Sequence, residues 1–118
     1  MKKMYSIGEM AKLMGISVQT LRHYSNINLI TPCFINKETG YRFYDAGNFS
    51  TIDRAKYLQR FGFSLEEIKN LYQENSISYT IDCLNNRAKK IEEDIHKKQA
   101  LLNELRWYSQ FFSHAVKR

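Results

Sequence analysis

From Ser17 to Tyr24 the chain reads SVQTLRHY, and helical spacing separates it into two faces. Val18, Leu21 and Tyr24 keep to one side, while Gln19, Thr20, Arg22 and His23 collect on the other. A solvated helix face usually carries Lys and Glu. This one carries an amide, a hydroxyl, a guanidinium and an imidazole, and no acid. Directed donors and acceptors of this kind suit nucleic-acid edges and phosphates. Gln19 matches adenine, and Arg22 matches either a guanine or a phosphate. Ser17 and Thr20 suit phosphates or bases. His23 suits a phosphate contact or a neutral ring packed at the helix end. Taken alone, the same face is explained about as well by simple hydration.

Other chemistries find no support. No His/Cys/Asp cluster, glycine-rich phosphate loop or paired carboxylate stands in a supporting motif, so no enzyme, cofactor or metal site is expected. The two cysteines, Cys33 and Cys83, are fifty residues apart and read as small packing residues in a reduced, cytoplasmic protein. No apolar run approaches the roughly 18–20 residues that span a bilayer, so no membrane-spanning segment is expected, while a membrane surface and nucleic acid both stay open as partners at this level. The net charge of +6 favours an anionic partner. Its distribution is uneven: residues 1–64 hold nine basic and four acidic side chains, residues 65–118 nine and eight.

The elements that must position the polar face are announced by local signals. Ser6-x-x-Glu9 is a capping box, followed by Ile7, Met10, Ala11 and Met14 at helical spacing, and Gly15 ends that helix. Ser17 caps the next one, which runs to about Ser25. Two short helices around a glycine turn are the sequence form of a helix-turn-helix. Thr31-Pro32 then stops the helical run, and CFINKETGYRFY reads as a β-hairpin, a wing. In that wing Lys37, Tyr41, Arg42 and Tyr44 interleave bases with aromatics, as a ribbon along a phosphate backbone would, although packing is the better account of Tyr44. Asp45 is the expected cap of a third helix reaching about Phe61, with Phe49, Ile52, Ala55 and Leu58 inward and Lys56 and Arg60 as possible phosphate contacts. Ser64-x-x-Glu67 opens a fourth helix with Leu65, Ile68, Leu71 and Tyr72 on one face. After a polar joint around QENSIS comes a long helix. Its seam, Ile81, Leu84, Ala88, Ile91, Ile95, Lys98, Leu102, Leu105, Ser109 and Phe112, alternates spacings of three and four. A single helix cannot bury such a seam on itself, so it calls for a second copy.

With these parts placed, YSIGEMAKLMGISVQTLRHY, GYRFYD and YLQRFGFSLEEIKNL together resemble the N-terminal region of the MerR family of bacterial transcription regulators. The wing is most similar to the multidrug-sensing branch. The resemblance implies a mainly α fold: a winged helix-turn-helix with a second helix pair, followed by a long dimerisation helix paired as an antiparallel coiled coil. It divides the chain into a DNA-binding part, residues 1–76, and a dimerisation helix, residues 77–118. It further implies a homodimer on a pseudo-palindromic double-stranded promoter operator, whose distortion reaches RNA polymerase indirectly. Any effector ligand would be held by a C-terminal domain outside these 118 residues. Tyr24 stands where the family keeps a backbone-contacting tyrosine, with an aromatic body that also suits a core. Arg42 matches a wing position used for DNA contact. The chain departs from the family at Ser25, where an acid is usual, at Asn28, where glycine is common, and at Phe34, in a region often rich in arginine. Two other readings stay open: an excisionase-like architectural DNA-binding protein, and a coiled-coil interaction module.

Overall fold

The computed structural model describes residues 3–116. Its backbone divides between Asn75 and Ser76 into two units, each described separately below. The first holds β1 (Tyr5–Ser6), α1 (Ile7–Met14), α2 (Val18–Asn26), β2 (Phe34–Ile35), β3 (Arg42–Tyr44), α3 (Gly47–Arg60) and α4 (Leu65–Glu74). The second is α5 (Ile77–Val116).

The expected caps form. Ser6 Oγ accepts from Glu9 N at 3.2 Å while Glu9 Oε1 accepts from Ser6 N at 2.9 Å, so two otherwise unpaired donors at the start of α1 are satisfied. The same reciprocal pair, Ser64 with Glu67, opens α4. Gly15 closes α1 in the left-handed conformation, φ 68°, where a Cβ would be strained. Asn28, where the family resemblance leads one to expect glycine, also has positive φ, 61°. Asparagine is among the few side chains that tolerate this region, which accounts for that departure.

One boundary holds and one differs from expectation. Asp45 caps α3: its Oδ1 accepts from Gly47 N at 3.0 Å, and Asn48 Oδ1 accepts from Asp45 N at 3.0 Å, a reciprocal pair like those at Ser6 and Ser64. Ala46 already has helical dihedrals, φ −59° and ψ −26°, and makes no side-chain cap bond of its own. The polar joint shrinks to Asn75 and Ser76, because the helical run resumes at Ile77.

Met10, Leu21, Tyr24, Ile30, Tyr44, Ile52 and Ile68 are wholly buried and form the core of the first unit. Helix α1 packs on α2, α3 and β3, and α3 packs on α4. The wing is larger than a hairpin. β1 joins it, giving a three-stranded antiparallel sheet in the order β1-β3-β2, with Tyr5 opposite Tyr44 and Phe34 opposite Phe43. A two-residue strand has no periodicity to read, so β1 left no signal in the sequence. Asn36 turns the hairpin by accepting from Glu38 N and Thr39 N.

Candidate nucleic-acid interface

Helix α2 begins at Ser17, whose Oγ accepts from Thr20 N at 3.0 Å and donates to Thr20 Oγ1 at 2.8 Å. That bond fixes both hydroxyls at the entrance of the helix, where the first N–H groups point outward. Gln19, Arg22 and His23 are exposed on the outer face, and Val18, Leu21 and Tyr24 turn inward as their spacing required. Among the described residues α2 has no acid in its first turn, so nothing there repels an anion.

Arg22 and Arg42 line one open groove of about 400 Å³. Its other walls are the first turn of α1, at Ser6, Ile7 and Gly8, and the wing at Gly40, Tyr41 and Phe43. Two guanidiniums and a helix N-terminus thus border the same space, an arrangement suited to phosphate oxygens. The helix start was legible from its capping box, but its place opposite Arg42 depends on tertiary packing. Tyr41 is strongly exposed at the wing, and Lys37 is exposed in the hairpin turn.

Two expected contacts, Tyr24 and Lys56, are engaged within the fold. Tyr24 is 1% exposed, and its hydroxyl donates to Gln59 Oε1. Its burial and its bond to Gln59 place Tyr24 in the core rather than on the polar face, and that burial raises its pKa above the ordinary tyrosine value. Lys56 is half-buried, and its Nζ donates to Met14 O at the end of α1. A cation there complements the helix dipole, so Lys56 first of all ties α3 to α1. Tyr44 is wholly buried, the packing role expected of it, with its hydroxyl 2.6 Å from Ser25 Oγ. Arg60 remains exposed in the last turn of α3.

In the second unit no described residue of α5 is buried. Ile81, Ala88, Ile91, Ile95, Leu102, Leu105 and Phe112 are exposed, and Leu84 is partly covered. Near its end Trp107, Tyr108, Phe111 and Phe112 form an exposed aromatic group, with the Tyr108 and Phe112 rings 5.3 Å apart. Only Phe112 of these belonged to the expected seam.

A helix-turn-helix whose second helix shows an acid-free polar face, flanked by a three-stranded wing, defines a winged helix-turn-helix protein. Residues 5–75 match the family described as MerR HTH family regulatory protein. The chain belongs to the MerR family. It is 40% identical over 65 residues to the multidrug-efflux transporter 1 regulator of Bacillus subtilis, covering 55% of this chain and 23% of that protein. To the multidrug-efflux transporter 2 regulator of the same organism it is 33% identical over 100 residues, covering 85% of this chain and 36% of the relative. Its backbone is similar to the cryo-EM structure of an EcmrR–DNA complex, with TM-score 0.76 and 28% identity over 90% of this chain and 38% of that one. The chain therefore spans from just under a quarter to just under two fifths of these proteins' lengths. The two relatives are named as regulators rather than enzymes. Among the described residues no helix is long and apolar enough to cross a membrane.

Proposed function

We propose that this chain is the DNA-reading and pairing part of a dimeric transcription regulator. Residues 1–76 form the reading head, and residues 77–118 the helix that pairs antiparallel with a second copy. The observation that carries this reading is the convergence of Arg22 and Arg42, from separate elements, on one groove beside the start of α1. Helix α2 enters the major groove with Ser17, Gln19, Thr20, Arg22 and His23 toward the DNA. Tyr41, Arg42 and Lys37 follow the backbone through the wing. Arg60, and any part of the Lys56 charge not engaged by Met14, add to the positive field. Distortion of the promoter by the bound dimer is what RNA polymerase senses, and an effector acts through protein beyond these residues.

The test is binding to the chain's own promoter DNA and to scrambled DNA across a salt series. A specific regulator separates the two by about 10³-fold or more, with steep salt dependence for both. Equal, weak and salt-sensitive binding to both would leave a basic interaction module in its place.

A further inference from the structure

We propose that the Ser25–Tyr44 hydroxyl pair is a positioning device that locks the recognition helix to the wing and thereby sets the separation of Arg22 and Arg42. This rests on the DNA-reading role above. Ser25 lies three residues beyond Arg22 in α2, close to one helical turn. Tyr44 lies two residues beyond Arg42 in β3, so the two share a face of the strand. Each hydroxyl is therefore carried by the element that carries one of the groove's arginines. The oxygens are 2.6 Å apart, Tyr44 is wholly buried, and Ser25 is 8% exposed.

A hydrogen bond is needed here beyond simple packing. Helix α2 and strand β3 both rest on α1, and apolar contact of that kind is non-directional. Strands of two and three residues provide few ladder bonds to hold the wing's angle. The hydroxyl pair supplies a directional link in a buried place, where each group depends on the other for satisfaction. No buried side-chain nitrogen or oxygen among the described residues lacks a partner, so the pair sits in a fully satisfied core.

The test uses four forms of the 118-residue chain: the wild type, Tyr44→Phe, Ser25→Ala and the double variant. Each is measured for thermal midpoint and for affinity to the promoter site and to scrambled DNA. Either single change strands one buried hydroxyl, so the midpoint falls. The double change removes both hydroxyls and recovers most of the midpoint. Its promoter affinity is nevertheless expected to stay about five- to twentyfold below wild type, the order of one misplaced arginine contact. Scrambled-DNA affinity and its salt slope should not move, because the charges are unchanged. If promoter affinity returns together with the midpoint in the double variant, the pair is only structural and the proposal is overturned. A wild-type protein that does not prefer its promoter sinks both this inference and the DNA-reading role. A wild type that does discriminate, with a double variant that binds equally well, sinks this inference alone.

Discussion

Arg22 and Arg42 stand twenty residues apart in the chain yet border one groove, and they differ in what their loss reveals. Arg22→Ala should cost about 1–3 kcal/mol on the promoter site. A loss confined to that site marks a base contact. A uniform loss across unrelated sequences marks a phosphate anchor, with the salt slope falling by about one. Arg42, on the wing, should behave in the second way, and competition binding at two salt concentrations separates the cases. Tyr72 offers a residue-scale test of the fold. Its hydroxyl donates to Thr51 O at 2.7 Å, and burial pushes its pKa up to about 12. Below about pH 10, the ordinary tyrosine value, the proton is held in folded and unfolded chains alike. From there to about 12 the unfolded chain releases it and the folded chain keeps it, so stability declines as pH rises and this contribution is lost above the folded value. Denaturant midpoints should fall across that window, and Tyr72→Phe should make the fall shallower. Neither Tyr72's acceptor nor Tyr24's partner Gln59, 35 positions away, could be read from the sequence. Both tyrosines fit their helices' apolar faces, but nothing local says where a hydroxyl will end.

At the scale of elements, what was legible was local. Capping boxes at Ser6 and Ser64 work within three residues, so their sequence pattern is their mechanism. Removing one, as in Ser64→Ala, should cost about 1 kcal/mol of stability, measured as a shift in urea midpoint with unchanged slope. At α1 the hydrogen bonds from Ser6 hold the Glu9 carboxyl below its ordinary pKa. That part of the cap is present above the unfolded pKa and is lost as pH falls through the folded one. What was illegible depended on partners distant in the chain. β1 exists because Tyr5 meets Tyr44. The bond of Lys56 to Met14, 42 positions away, likewise leaves no sequence trace. Asp45 was legible for the same reason as the capping boxes, because its bonds to Gly47 and Asn48 span only two and three residues. The polar face of α2 was the best read part of the candidate interface, since helical period alone separates Gln19 and Arg22 from Leu21.

At the scale of the whole molecule, the second unit is 40 residues of helix, about 60 Å of length at 1.5 Å per residue, with no described residue buried. Isolated helices draw little stability from propensity alone, so under the proposed pairing α5 would gain its stability from association. Replacing Ile91 and Leu102 together by Asp places charges in the middle of the seam. Sedimentation should then show a monomer, and promoter affinity should collapse while the head keeps its thermal transition. A variant that remains dimeric would show that the seam is not the pairing surface. Under the proposed function, pairing through α5 would also set how the protein responds to its own abundance. Below the dimer's dissociation constant, the paired species grows as the square of total chain concentration, so promoter occupancy would rise with that square. The exposed aliphatic and aromatic side chains of α5 would then do more than join two heads. By fixing that constant, they would set the copy number per cell at which the proposed regulator switches from silent to effective.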